Sequence, residues 1–136
     1  MKPAPRQMLI IEPSRFMRKL LETHLRIEGH SGITFADYAE ALQALPRLRD
    51  QAYDLAFVAV RAHVPESQRM LYALRLQYPN LVIAAMLTKE ESGHRALQKA
   101  VQATNAVIFI LPFLIQDVLA LCDQERLPQP PGGSPP

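Results

Sequence analysis

Five apolar runs, each followed by a helical pattern, recur along this chain and restrict its fold more than any other feature. The first, "QMLIIE", is continuously apolar, as a parallel strand covered on both faces must be. The second is "SGITFA", the third "YDLAFVAV", the fourth "LVIAAML" and the fifth "AVIFI". A helix is expected after each. Ser14 caps the first, which carries Phe16, Met17, Leu20, Leu21, His24 and Leu25 at helical spacing and stops at Gly29. Asp37 with Glu40 gives a capping-box signal for the second, whose inner face is Ala41, Leu42, Leu45 and Leu48. Pro46 lies inside it and must kink or shorten it, because proline lacks the amide donor and crowds the preceding turn. Pro65 and Glu66 suit the first turn of the third helix, with Met70, Leu71 and Leu74 inward. Thr88 with Glu91 opens the fourth, with Ala96, Leu97, Ala100 and Val101 inward, and "LIQDVLALCDQ" is the fifth.

Strand-then-helix repetition with right-handed crossovers predicts an α/β fold: a flavodoxin-like (βα)5 doubly wound parallel sheet. The strand order 2-1-3-4-5 is the natural choice, although periodicity alone does not fix it. Ligands in such sheets bind beyond the carboxyl ends of the strands. The positions to inspect are therefore Glu12 and Pro13, Ala59, Thr88 and Leu111.

The chain has 136 residues, enough for one domain with one core. Residues 1–6 are expected to be a flexible N-terminus and residues 7–126 the folded domain. Residues 127–136, ending "PQPPGGSPP", are expected to be a disordered tail or a linker. No apolar run approaches the ~18 residues of a membrane span, and "MLII" is too short for a signal peptide. The default location is the cytoplasm, which suits the single Cys122, read as a small packed residue. A net charge of +2 gives little reason to expect nucleic-acid binding. Arg15, Arg18, Lys19 and Arg26 read as the solvated face of a helix. There is no Gly-rich phosphate loop. His24, His30, His63 and His94 have no metal-ligand spacing with the cysteine. His63 reads as a solvated loop residue, and Ser14 and Ser67 have no partners for nucleophilic catalysis. Asp54 reads as a polar residue opening the third strand.

Several stretches, in order and at matching spacings, resemble one family. They are "MLIIEPSRFMRKLLETHLRIEGH", "ADYAEAL", "YDLAFVAVRAHVPES", "AAMLTKEES" and "AVIFILPF". The family is the response regulator receiver domain, of the chemotaxis-regulator-like kind, and the resemblance covers about residues 7–124. In that family two acidic residues end the first strand and bind magnesium, an aspartate ending the third accepts a phosphoryl group, and a lysine precedes a proline after the fifth. At the matching positions this chain has Glu12 and Pro13, Ala59, and Leu111 before Pro112. The resemblance therefore implies a degenerate pseudo-receiver. One carboxylate remains, a methyl group replaces the nucleophile, and the counter-charge is gone; metal positioning and electrostatics supply nearly all phosphoryl-transfer catalysis. Thr88 matches the switch residue but suits helix capping, and Ile108 matches the switch aromatic. The bond before Pro112 is expected to be cis, as is typical of the family.

The sequence thus predicts no enzyme activity, no cofactor and no metal site. Burial should raise the pKa of Glu12, and magnesium should leave the melting temperature unchanged. The expected role is a phosphorylation-independent, protein-binding regulatory module in bacterial two-component-type signalling. Its partner would be another signalling protein or an output domain, with a homodimer as an alternative. The fourth helix, fifth strand and fifth helix form the expected interface: Arg95, Gln98, Lys99, Gln102, Leu114, Asp117 and Leu121. Three other readings compete with it: a phospho-acceptor using an unorthodox residue, a small-molecule sensor using the vacated cup, and the receiver half of a transcriptional regulator with its output domain elsewhere.

Overall fold

A computed structural model describes residues 4–111 and 115–123. Strands β1 (Gln7–Ile11), β2 (Ser31–Phe35), β3 (Leu55–Ala59), β4 (Val82–Thr88) and β5 (Val107–Leu111) form one sheet. Its order is β2-β1-β3-β4-β5, with every pairing parallel. This is the doubly wound order expected. The intervening helices are α1 (Arg15–Ile27), α2 (Tyr38–Ala44), α3 (Pro65–Gln77), α4 (Lys89–Ser92), α5 (Arg95–Thr104) and α6 (Ile115–Cys122). None of the described helices is long and apolar enough to cross a membrane.

Side-chain alternation divides the core into two layers. On one face Leu9, Ile11, Ala56, Val58, Ile83, Ala85 and Leu87 pack against α2, α3 and α5. On the other, Met8, Ile10, Leu55, Phe57, Ala59, Val82, Ala84 and Met86 pack against Leu21 and Leu25 of α1 and Val118, Leu121 and Cys122 of α6. The central strand β3 is buried throughout, which explains why its sequence shows no alternation. The edge strands differ. In β2, Gly32 approaches β1 so closely that a Cβ would lie 2.5 Å from the Met8 carbonyl oxygen, leaving room only for glycine. In β5, Val107 and Phe109 pack inward while Ile108 and Ile110 remain 48% and 38% exposed.

The predicted caps form at the helix starts. Ser14 Oγ accepts from the Met17 N–H, and Asp37 Oδ1 accepts from the Ala39 N–H. Gly29 ends α1 with φ of +91°. Pro46 stops α2 at Ala44, and the chain continues as a 3-10 turn over Leu45–Leu48. The fourth helix is not continuous. It breaks at Gly93 and His94 into the short α4 and the longer α5, because Gly93 weakens the helix where His94 starts a new one. Ala96, expected on an inner face, is exposed, and so is Phe16, one of the helically spaced residues of α1. Asp54 lies immediately before β3, its Oδ2 accepting the Gln7 N–H at 2.9 Å.

Candidate functional site

The carboxyl ends of β1, β3 and β4 meet at one rim of the sheet. Glu12 continues β1, its N–H donating to the Phe35 carbonyl, and alternation turns its side chain to the same face as Met8 and Ile10. The residue is fully buried. Its Oε2 accepts the Ser14 N–H at 3.0 Å, while its Oε1 has no hydrogen-bond partner. Burial pushes the Glu12 carboxyl above the usual range, partly offset by the Ser14 N–H and by the charges of Arg61 and Arg18. Arg18 also ties down the turn after β1, donating to the Glu12 carbonyl at 2.9 Å and the Pro13 carbonyl at 3.2 Å.

Ala59 ends β3 with its methyl group inside the layer facing α1 and α6. Its carbonyl accepts the hydroxyl of Tyr38, the first residue of α2. Tyr38 is buried, and that burial raises its hydroxyl pKa far above the ordinary value. Two residues beyond Ala59, Arg61 turns back over the rim. One guanidinium nitrogen, Nη1, donates to the Val60 carbonyl at 3.1 Å and the Met86 carbonyl at 3.3 Å. Nη2 lies 3.8 Å from Glu12 Oε1, and Nη1 lies 3.9 Å from Glu91 Oε1. The Arg61 backbone is equally held: its N–H donates to Ser67 Oγ, and that buried hydroxyl lies 2.7 Å from the Val64 carbonyl and 3.1 Å from the Arg61 carbonyl.

Thr88 ends β4 and forms a full capping box with Glu91. Glu91 also accepts the Ala62 N–H at 2.8 Å. Partial burial pushes its carboxyl up, but the hydrogen bonds from Ala62 and Thr88 and the nearby Arg61 outweigh it and hold the pKa below the usual range. Sequence pattern identified Glu91 only as a cap; its second bond, to the loop after β3, fixes that loop to α4. Arg61 and Tyr38 escaped sequence reasoning altogether. A basic residue two places after a strand end was the available signal for Arg61, and the tyrosine opening α2 was the one for Tyr38.

Leu111 pairs with Thr88 across the sheet and is partly exposed. Pro112 and Leu114 lie outside the described residues, and with them the expected cis bond. Pro13 is exposed. Of the expected surface residues, Arg95 and Lys99 on α5 and Asp117 on α6 are exposed. Leu121 is not a surface residue. It is 6% exposed and packs in the layer shared with α1, because the inner face of α6 includes it. Cys122 is buried beside it, and burial, with the Asp123 charge second, pushes its thiol up to about 12. His63 is exposed, as a loop residue should be.

Magnesium takes near-octahedral oxygen coordination. Glu12 Oε1 is one suitable oxygen, but Pro13 and Ala59 offer no side-chain oxygen, and no cluster of three metal-ligating side chains exists among the described residues. An ion on Glu12 would also face the Arg61 guanidinium. A 2+ and a 1+ charge about 4 Å apart repel by about 8 kcal/mol at an effective dielectric of about 20. With Arg61 in place beside the one available carboxylate oxygen, and no third ligating side chain among the described residues, the residues present do not fit the metal. Cavities of about 150 Å³ and about 480 Å³ lie away from this rim. The first is between α1 and β2, bordered by His30 and Thr34; the second is between the 3-10 turn and α3, bordered by Leu45 and Leu76.

The similarities to known proteins match this architecture. The chain is 30% identical to the response regulator protein FleR of Pseudomonas aeruginosa over 129 residues, which are 93% of this chain and 26% of FleR. The chain thus spans about a quarter of that curated relative. Vibrio cholerae chemotaxis protein CheY4 superimposes with a TM-score of 0.70 at 22% identity, over 86% of this chain and 95% of CheY4. NtrX of Brucella abortus gives a TM-score of 0.72 at 19% identity, over 88% of this chain and 26% of NtrX. No protein-family model matches. Together these comparisons show the fold, a CheY-like, flavodoxin-like α/β sheet in the order 2-1-3-4-5, and a sequence similar to a response regulator over nearly the whole chain.

Proposed function

We propose that this domain is a receiver that regulates by binding another protein and is not switched by phosphorylation at the end of β3. The single observation that carries this reading is the placement of Ala59 and Arg61. At the acceptor position a methyl group is packed into the core, and the adjacent rim holds a guanidinium braced by Glu12 and Glu91. A methyl group cannot attack phosphorus, the metal and lysine positions are vacated, and the one cation at this rim, Arg61, is already engaged by Glu12, Glu91 and two carbonyls. Glu12, Pro13, Ala59, Thr88, Leu111 and Pro112 are in this reading the remnants of a phosphoryl-transfer site, with Thr88 kept as a helix cap.

The proposed contact surface is the edge made by α5, β5 and α6. Ile108 and Ile110 supply exposed apolar area there, and Arg95, Lys99 and Asp117 supply charge. The setting is bacterial two-component signalling in the cytoplasm. A second reading makes the partner an output domain of the same polypeptide. It is favoured by FleR and NtrX, in each of which the matched segment is about a quarter of the length. The sensor reading for the vacated cup is less favoured, because the rim is crossed by Tyr38 and Arg61.

Incubation with acetyl phosphate and magnesium, followed by intact-mass measurement, tests the proposal. The expected result is an unmodified chain. A stoichiometric phosphoryl adduct would overturn it, and peptide mapping would then identify the unorthodox acceptor.

A further inference from the structure

We infer that the Arg61 guanidinium is the resident cation of this rim: it takes the structural place of a divalent ion and shuts such ions out. The inference rests on the phosphorylation-independent reading and adds what holds the rim together in its place.

The oxygens around Arg61 form a set suited to a hard cation. Two are carboxylate oxygens, Glu12 Oε1 at 3.8 Å and Glu91 Oε1 at 3.9 Å. Two are main-chain carbonyls, Val60 at 3.1 Å and Met86 at 3.3 Å. They come from the ends of β1, β3 and β4 and from α4, so one positive charge joins four segments of chain. Glu12 Oε1 is buried and has no hydrogen-bond donor, which leaves its charge to be balanced through space by Arg61. Glu91 is satisfied independently by Ala62 and Thr88, so it remains in place to orient the guanidinium from the other side. A metal ion must be recruited from solution, whereas this cation is tethered to the loop it stabilises. Its occupancy is set by folding alone. The predicted consequence is a rim locked in one arrangement at every magnesium concentration.

If the guanidinium is removed, Glu12 and Glu91 lose their shared counter-charge, and the Val60 and Met86 carbonyls lose its donor. Such a set recruits magnesium, calcium or manganese. The test uses the full chain and four variants: Arg61→Ala, Arg61→Gln, Arg61→Lys and the double substitution Arg61→Gln with Glu12→Gln. Melting temperature is measured in chelator and in millimolar magnesium, and manganese broadening of amide resonances locates any bound ion. The wild type and Arg61→Lys should melt at the same temperature in both conditions. Arg61→Gln and Arg61→Ala should melt lower in chelator and recover by about 3–5 °C in metal at about ten times its dissociation constant. Manganese should broaden the Glu12 and Glu91 amides in these neutral variants only. The double variant should lose the response. Arg61→Gln keeps part of the aliphatic stem with a neutral polar end and guards against a collapse specific to alanine.

A rise in the wild-type melting temperature with magnesium, or manganese broadening of its Glu12 amide, would overturn the assignment. So would neutral Arg61 variants that fold and bind no divalent ion. These outcomes are separable from failure of the proposed function. A phosphoryl adduct on the wild type would defeat that function and leave the cation assignment standing, because the metal measurements contain no phosphate donor.

Discussion

Two edges of the same sheet are finished in opposite ways. At the carboxyl ends of β1, β3 and β4, Glu12, Tyr38, Arg61, Ser67, Thr88 and Glu91 bind one another and the strand-end carbonyls. At the β5 edge the chain leaves Ile108 and Ile110 half in solvent and commits no comparable bonds to them. The first arrangement resists change; the second leaves apolar surface available. In a switchable receiver the strand ends must respond to a signal and the outer edge must read the response. Under the proposed function, a closed rim beside an open edge means an edge presented constitutively.

The comparison can be broken at either region. The largest expected effect is from Arg61→Ala, which strips the buried Glu12 carboxylate of its nearest cation. Denaturant unfolding should show a loss of about 2–3 kcal/mol. An unchanged midpoint would mean that the rim is looser than its contacts indicate. Tyr38→Phe comes next. It leaves the Ala59 carbonyl without its donor and should cost about 1–2 kcal/mol by the same measurement.

The pH dependence should be smaller and of mixed sign. Glu91, with its folded pKa below 4.5, stabilises the domain above that value, and the contribution is lost as pH falls through the lowered folded pKa. Glu12 acts in reverse. Its folded pKa lies above 4.5, so its contribution is fully present below 4.5 and is lost as pH rises through the raised folded value. Relative to wild type, Glu12→Gln should therefore melt progressively higher as pH climbs from 4.5 toward neutrality, whereas Glu91→Gln should melt progressively lower as pH climbs from the lowered folded value to 4.5 and by a constant amount above it. Parallel pH curves for both variants would contradict the two environments described. The smallest stability effect belongs to the open edge. Ile108→Ser should change unfolding free energy by no more than about 1 kcal/mol, because half of that side chain is already in water. A larger loss would show that Ile108 is held in packing and is not available surface.

Much of the fold was legible because long-range order was written in local patterns. Continuous apolar runs marked strands buried on both faces, and Ser14, Asp37, Thr88 and Gly29 marked helix ends through their own backbone chemistry. The break at Gly93 was missed because the Thr88 capping box and the later inward residues fit one continuous helix equally well. Leu121 was misplaced because helical spacing gives a face but not which neighbour covers it. The strand-end positions of the candidate site were legible from order alone. Arg61 was not, since its partners Glu12, Met86 and Glu91 are distant in sequence and meet it only after three strands align. Tyr38 was hidden for the same reason: its hydroxyl reaches a backbone carbonyl, which leaves no trace in residue type.

The central claim is that the β3 end is closed to phosphoryl chemistry and that the β5 edge does not depend on it. Amide spectra of the full chain, recorded before and after beryllofluoride with magnesium, test this directly. The account predicts unmoved resonances at Glu12, Ala59, Arg61 and Thr88 and equally unmoved resonances at Ile108 and Ile110. Saturable shifts at the strand ends that carry over to Ile108 and Ile110 would contradict it.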